Sequence, residues 1–535
     1  MKRIVLVISI LFCFTGCRES TDSQNNSAPQ DAGREKHRPV FHFTPPRMWM
    51  NDPNGMVYLD GEYHLFYQHY PDSTVWGPMH WGHAVSQDLF NWEHLPIALY
   101  PDSLGYIFSG SAVFDRDNTS GFGSSESPPL VAIYTYHSDE MRRAGRKDYQ
   151  TQGIAFSIDK GRTWKKYAGN PVLKNPNVED FRDPKVFWHE ETQAWIMILA
   201  VRDHVELYSS KDLKQWNKLS EFGKNAGAHG GVWECPDLFQ MTVEGQQKKK
   251  WVMLVSINPG GIYGGSATQY FVGEFNGKTF SNDNPETERL WIDYGKDNYA
   301  GVTWSNVPKS DGRTIFLGWM SNWQYANVVP TESWRSAMSI PRTLHLQETG
   351  TGLRLASRPV KELANLRKET YHFRPEEISG ERTFDEIPFD ASASEIVLEC
   401  TISDRSPNIG IRLSNDEGEM IAIGYESSQN RYYIDRTKSR KSDFSKDFSG
   451  IHYAPRSSAS DTVKLHLVVD VASVELFADD GTSVITDIFF PQEVLGKVGV
   501  FVEGGSINLV KGQVTRLALP ESQAASRQRQ PSSPQ

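Results

Sequence analysis

The chain of 535 residues has little cysteine, only four residues. Cys13 and Cys17 sit near the start, and Cys235 and Cys400 lie far apart, which excludes a disulfide framework. No Cys/His cluster has the spacing of a structural zinc site, since His80-x-x-His83 has no third ligand near it. There is no Lys/Arg run. Lys+Arg number 56 against Asp+Glu 66, a net charge of −10, so a nucleic-acid partner is excluded. The glycine pairs 260–261 and 264–265 have no phosphate-loop lysine beside them. No long segment repeats its apolar residues at helical spacing.

The apolar run at 4–14 is too short to span a bilayer. It follows Lys2 and Arg3 and reads as a secretory signal. It ends in Phe14-Thr15-Gly16-Cys17, the pattern of a bacterial lipobox, so Cys17 is the expected lipidation site. Residues 1–16 are then a lipoprotein signal peptide, and a lipid on Cys17 would anchor the mature chain to a membrane outside the cytoplasm. Residues 17–37 are polar and aperiodic and read as a flexible tether. Residues 520–535 read as a disordered tail.

Aromatic residues are plentiful, at 12 %, with 15 Trp. From residue 38 to 346 short alternating strands follow one another, with hairpin signals such as Asp60-Gly61. Ser86-x-Asp88 precedes Trp92, Ser157-x-Asp159 precedes Trp164, and Ser210-x-Asp212 precedes Trp216. This repeated turn, with its Asp capping the backbone and its Trp packing between sheets, is the pattern of propeller blades of about 50 residues. Five segments, 50–58, 108–114, 182–187, 233–239 and 299–304, qualify as innermost strands. The expectation is an all-β protein: a five-bladed β-propeller over 38–346, a linker at 347–367, and a C-terminal β-sandwich over 368–519. A single large sandwich is the alternative.

Three of the five inner segments open on a carboxylate: Asp52 in WMNDPNG, Asp183 in FRDPKVF and Glu234 in WECPDLF. A proline follows each within two residues. Singly, an Asp before Pro is a turn cap. Together, at strand ends that converge on one mouth of a propeller channel, they are the pair-plus-one of acids that glycoside cleavage needs. Crowding of like charges raises the pKa of at least one of them. Trp49, Trp76 and Trp81 would rim the pocket.

WMNDPNG, FSGS, FRDP and WECPDLF, in this order, resemble glycoside hydrolase family 32, the β-fructofuranosidases: levanases, inulinases and invertases. The resemblance runs from about 42 to 519 and implies a propeller followed by a sandwich. It implies Asp52 as nucleophile, Glu234 as acid/base and Asp183 as transition-state stabiliser, in a retaining reaction with no metal or organic cofactor. It further implies substrate contacts from Trp49, Met50, Asn51, Gln68, Trp76, Phe108, Ser109, Arg182, Tyr299 and Trp319, with Trp76 and Trp319 as apolar walls. A fructan or sucrose is the implied substrate. A lipid-tethered hydrolase suits a polymer met outside the cytoplasm, on the periplasmic or cell-surface side of a membrane, which favours exo-action releasing fructose. An endo-levanase, a dedicated invertase and a non-catalytic carbohydrate-binding lipoprotein are the alternatives. The sandwich could bind sugar, meet a second copy or brace the propeller, and bracing is the plainest reading. The oligomeric state is left open.

Overall fold

Five antiparallel meanders follow one another in the computed structural model, which describes residues 35–402 and 407–520. The first blade is built from Met48–Leu59, Glu62–Tyr70, His80–Ser86 and Trp92–Leu99. The second and third begin with Tyr106–Phe114 and Phe181–His189, the fourth with Val232–Thr242 and the fifth with Tyr299–Thr303. Each of these inner strands packs on the next, and the fifth packs on the first, which closes the ring of a five-bladed propeller.

Local sequence explains the meanders. Asp60 (φ 49°) and Gly61 (φ 92°) both take the left-handed backbone of a tight hairpin turn. The Ser-x-Asp boxes join the third and fourth strands of blades one to three. In each the Ser hydroxyl donates to the Asp, at 3.1, 2.7 and 3.1 Å. The following indoles of Trp92, Trp164 and Trp216 donate to the carbonyls of Leu89, Gly161 and Leu213. The fourth blade turns instead on Asn276, whose side chain accepts from the backbone of Lys278 and Thr279.

The boundary expected at 346 is corrected. Gly352–Pro359 pairs along its length with Arg342–Thr349 and forms the outer edge of the fifth blade. Its Gly-Thr-Gly turn reads as a linker because a two-stranded edge, half exposed, lacks a clean apolar alternation. The true connection is the short 3-10 turn Lys361–Leu366, which buries Leu363 and Leu366. His37, the last residue of the expected tether, is already buried against Phe490. The signal segment, Cys17, the tether up to residue 34 and residues 521–535 lie outside the described residues. Among the described residues no helix is long and apolar enough to cross a membrane.

In the C-terminal sandwich one long strand, Lys497–Leu517, serves both layers. Its first half pairs with Asn408–Ser414 and its second half with Ser394–Ile402. Ile411 and Ile423 pack with Ile396 and Leu467 to fill the core. Glu376–Thr383 also joins this strand, although it is almost wholly exposed and carries no apolar period to announce it.

The propeller and sandwich belong to one compact unit. Their seam holds fully buried charges. Arg342 donates to Asp293 (2.8 Å) and to Glu475. Arg436 donates to Asp297 (2.6 Å) and to the Tyr325 hydroxyl (3.1 Å). His452 meets Asp487 at 2.6 Å. His42 lies between Asp470 (2.8 Å) and Glu475 (2.9 Å). Burial alone would lower the His42 pKa, but its two carboxylates outweigh burial and raise it to about 9.

Candidate active site

The pairing register of every inner strand slips near its start, and the first slips again between Asn54 and Val57. The slips near the start fall between Met50 and Pro53, Ile107 and Gly110, Arg182 and Lys185, Glu234 and Asp237, and Tyr299 and Val302. A bulge of this kind leaves a residue out of the ladder and re-aims its side chain. Asp52, Ser109, Asp183 and Cys235, and Ala300 beside Tyr299, sit at these slips. Pro53, Pro184 and Pro236 have no N–H to give the ladder, so the sequence itself prevents regular pairing there. In the second blade the slip falls at Gly110, where the strands approach so closely that a Cβ would lie 2.1 Å from the Ile133 carbonyl oxygen. Asp183 (φ 64°), Cys235 (φ 45°) and Ala300 (φ 53°) are held in left-handed backbone. For non-glycine residues that costs on the order of 1 kcal/mol each, and it is tolerated where the surroundings over-determine it.

These kinks bring the three acids together. Asp52 Oδ1 accepts from Asn51 Nδ2 at 2.9 Å and Oδ2 accepts from Ser109 Oγ at 2.6 Å. The Trp49 indole donates to Asn51 Oδ1 at 2.7 Å, which fixes the amide with its NH2 toward Asp52. Cys235 Sγ lies 3.5 Å from Asp52 Oδ2 and 3.7 Å from Asp183 Oδ2, and its N–H donates to Asp183 Oδ2 at 3.0 Å. The Asp183 N–H donates to Thr135 Oγ1 at 2.9 Å. Glu234 Oε1 accepts from Arg182 Nη2 (2.9 Å) and Nε (3.2 Å), and Oε2 accepts from the Tyr299 hydroxyl. Arg182 Nε is 3.9 Å from Asp183 Oδ2.

Electrostatics follow from that crowding. Burial, then the Glu234 charge, raises the Asp52 pKa, against the pull of Ser109 and Asn51. Burial first, with Glu234 and Asp52 adding to it, lifts Asp183 to about 7 although Arg182 opposes the shift. Burial and the same acids push the Cys235 thiol and the Tyr299 phenol well up, so both stay protonated. Asp52 and Asp183 are both shifted toward the protonated form, so the crowding favours retention of a proton by the cluster.

Trp49 stacks on Trp323 (5.8 Å) and lies 6.2 Å from Trp319, while Trp319 and Trp323 are 5.0 Å apart. The Trp319 indole N–H is buried and has no acceptor among the described residues, so this wall also offers a donor. Tyr299 completes the group 6.4 Å from Trp319. Trp76 stands at the rim, 39 % exposed, with its ring edge-on to Phe108 at 6.1 Å, and its backbone N–H donates to Asn327 Oδ1. Phe108 stacks flat on His137 at 4.3 Å. Met50 is enclosed in the apolar core, and the Gln68 amide donates to Asn54 at 2.7 Å. Trp81, expected at the rim, is fully buried between Phe66 and Tyr134. Trp323 and Asp180, which grips Arg182 at 2.5 Å, escaped the sequence reading. Trp323 carried a weak signal as a second indole four residues after Trp319. Asp180 carried none, because acids before an FRDP segment are common surface residues.

His80 and His83 point to different partners, Pro78 O and His64, as an odd spacing on a strand requires. Elsewhere His204, Glu206 and Glu221 converge, but the Lys218 ammonium already lies 2.5 Å from Glu206 and 3.4 Å from Glu221.

Crowded carboxyl groups beside an indole wall at one end of a propeller are the equipment of a glycosidase. The model of the glycosyl hydrolases family 32 N-terminal domain matches residues 42–359, and that of the family 32 C-terminal domain matches 362–516. The chain belongs to glycosyl hydrolase family 32. It is 48 % identical over 512 residues to a levanase of Bacillus subtilis (strain 168), covering 95 % of this chain and 74 % of that one. It is 36 % identical over 517 residues to an extracellular exo-inulinase of Aspergillus awamori, covering 90 % and 95 %. The crystal structure of exo-inulinase from that organism superposes with a TM-score of 0.83 at 35 % identity, covering 90 % of this chain and 99 % of that one. A fructofuranosidase from Schwanniomyces occidentalis complexed with fructose superposes with a TM-score of 0.80 at 34 % identity, covering 91 % and 99 %.

Proposed function

We propose that this glycosidase cleaves β-D-fructofuranosyl linkages with retention, acting from the chain end on levan or inulin, and also on sucrose, to release fructose. The observation that carries the reading is the meeting of Asp52, Asp183 and Glu234 around Cys235 with a single guanidinium among them. The names of the related levanase and exo-inulinase support a fructan substrate. Glu234 protonates the leaving glycosidic oxygen while Asp52, oriented by Asn51 and Ser109, attacks the anomeric carbon. Asp183 bonds the sugar hydroxyls as positive charge develops on the ring. Glu234 then takes a proton from water, and the water releases fructose from Asp52. Trp319 and Trp49 exclude solvent from the sugar, and no metal or organic cofactor takes part.

The same proposal sets the enzyme on a membrane through a lipid at Cys17, facing its polymer outside the cytoplasm. Labelled palmitate should enter the wild type and not Cys17→Ser, and equal labelling would refute the anchor. The product profile on levan, inulin and sucrose tests the chemistry. Fructose as the sole early product is expected. A ladder of oligosaccharides would replace exo- by endo-action, and no cleavage of any of the three would overturn the substrate class.

A further inference from the structure

Arg182 is gripped at both ends. Its Nε and Nη2 face Glu234, and its Nη1 donates to Asp180 Oδ1 at 2.5 Å. Asp180 lies outside the acid trio, two residues before Arg182, with its side chain 28 % exposed. Its position is built rather than incidental. The backbone is left-handed (φ 53°), the carbonyl accepts the Arg202 N–H at 2.9 Å, and the Tyr149 hydroxyl lies 3.4 Å from both its N–H and its Oδ1.

We propose that Asp180 is a positioning residue that divides the Arg182 charge between itself and the channel acids and so sets the pH range over which the enzyme works. The inference rests on the function proposed above. One guanidinium serves carboxylates on two sides, and every share of its field taken by Asp180 is withheld from Glu234 and Asp183. Asp180 also adds negative potential of its own to the trio. Both effects favour retention of the cluster's proton. The other groups facing Asp180 are Tyr149, with Glu179 beside it, and His137, which is flanked by Asp139 and Arg142. Burial holds His137 down to about 4 and raises Tyr149, so both are neutral across the working range. Asp180 is therefore the partner that decides how much of Arg182 the channel feels.

The test is the pH dependence of kcat/KM for fructose release from inulin and levan. Asp180→Asn should move the alkaline limb down by about one pH unit. At the pH of its own optimum its rate should stay within a few-fold of wild type. Asp180→Glu should restore the limb. A purely structural residue would lower the rate at every pH without moving the limb, and an unmoved limb overturns the proposal. If Asp180→Asn does not fold, the limb of Asp180→Ser decides in the same way. An infrared titration of the carboxyl band reads the same downward shift without turnover. It separates failure of this inference from failure of the substrate assignment: an unmoved band refutes the role of Asp180 whatever the substrate is.

Discussion

The buried charges at the propeller–sandwich seam and those at the channel mouth are built on opposite rules. At the propeller–sandwich seam the buried acids meet nearly as many cationic or imidazole partners: Asp293 and Glu475 share Arg342, Asp297 takes Arg436, Asp487 takes His452, and His42 lies between Asp470 and Glu475. At the channel mouth Glu234 and Asp183 share Arg182, Asp180 draws on it as well, and Asp52 is held by Asn51, Ser109 and Cys235 instead. Matched charges cross-link two domains. Unmatched charges keep a proton, hold carboxylates ready to attack, and leave the fold under tension. Upward pKa shifts occur in both places with opposite meaning. His42 is raised because its charge is wanted, and Asp183 because its charge is not.

The sharpest way to break this contrast is Asp52→Asn. Fructose release should fall by on the order of 10⁴-fold, about 5 kcal/mol of barrier. Removing one like charge from the crowd should at the same time raise Tm. A variant that is inactive and less stable would show that the trio contributes to folding. The converse is Arg342→Met at the seam. It leaves Asp293 and Glu475 buried without their guanidinium and should cost about 3–5 kcal/mol in denaturant unfolding. The rate of the fraction that remains folded should be unchanged, and a matching loss of rate would mean that the seam reaches the chemistry. The third expectation concerns pH. The His42 contribution is complete below its unfolded pKa of about 6.5 and is lost as pH rises through about 9, a linked change of about 3 kcal/mol. Melting curves of the wild type should fall in Tm across that window. His42→Gln should start lower and run flatter, and parallel curves would remove His42 from the seam's balance.

Much of this was legible in the chain. The Ser-x-Asp boxes fix their hairpins through contacts within a few residues, so local spelling suffices, and the five inner strands follow from them. The acids could be read because three prolines mark the same place in three blades. The seam could not. Glu475, Asp487 and Thr486 lie on strands that bury both faces, and their polar residues look like surface until Arg342 and Asp293 arrive from more than a hundred residues away. The fifth blade's outer hairpin was missed because half-exposed edge strands carry little alternation. Trp323 could be suspected only from its spacing to Trp319, and Asp180, beside Glu179 and two residues before Arg182, reads as one more surface acid.

The slipped register at the axial end of every blade has a consequence for how such an enzyme changes over time. Because each kink resets the aim of the residues beyond it, the outer hairpins need not be kept in step with the cutting edge. A lineage can lengthen a rim loop or exchange an outer turn, altering how a polymer is gripped, while the blade-tips that do the cutting stay where they were.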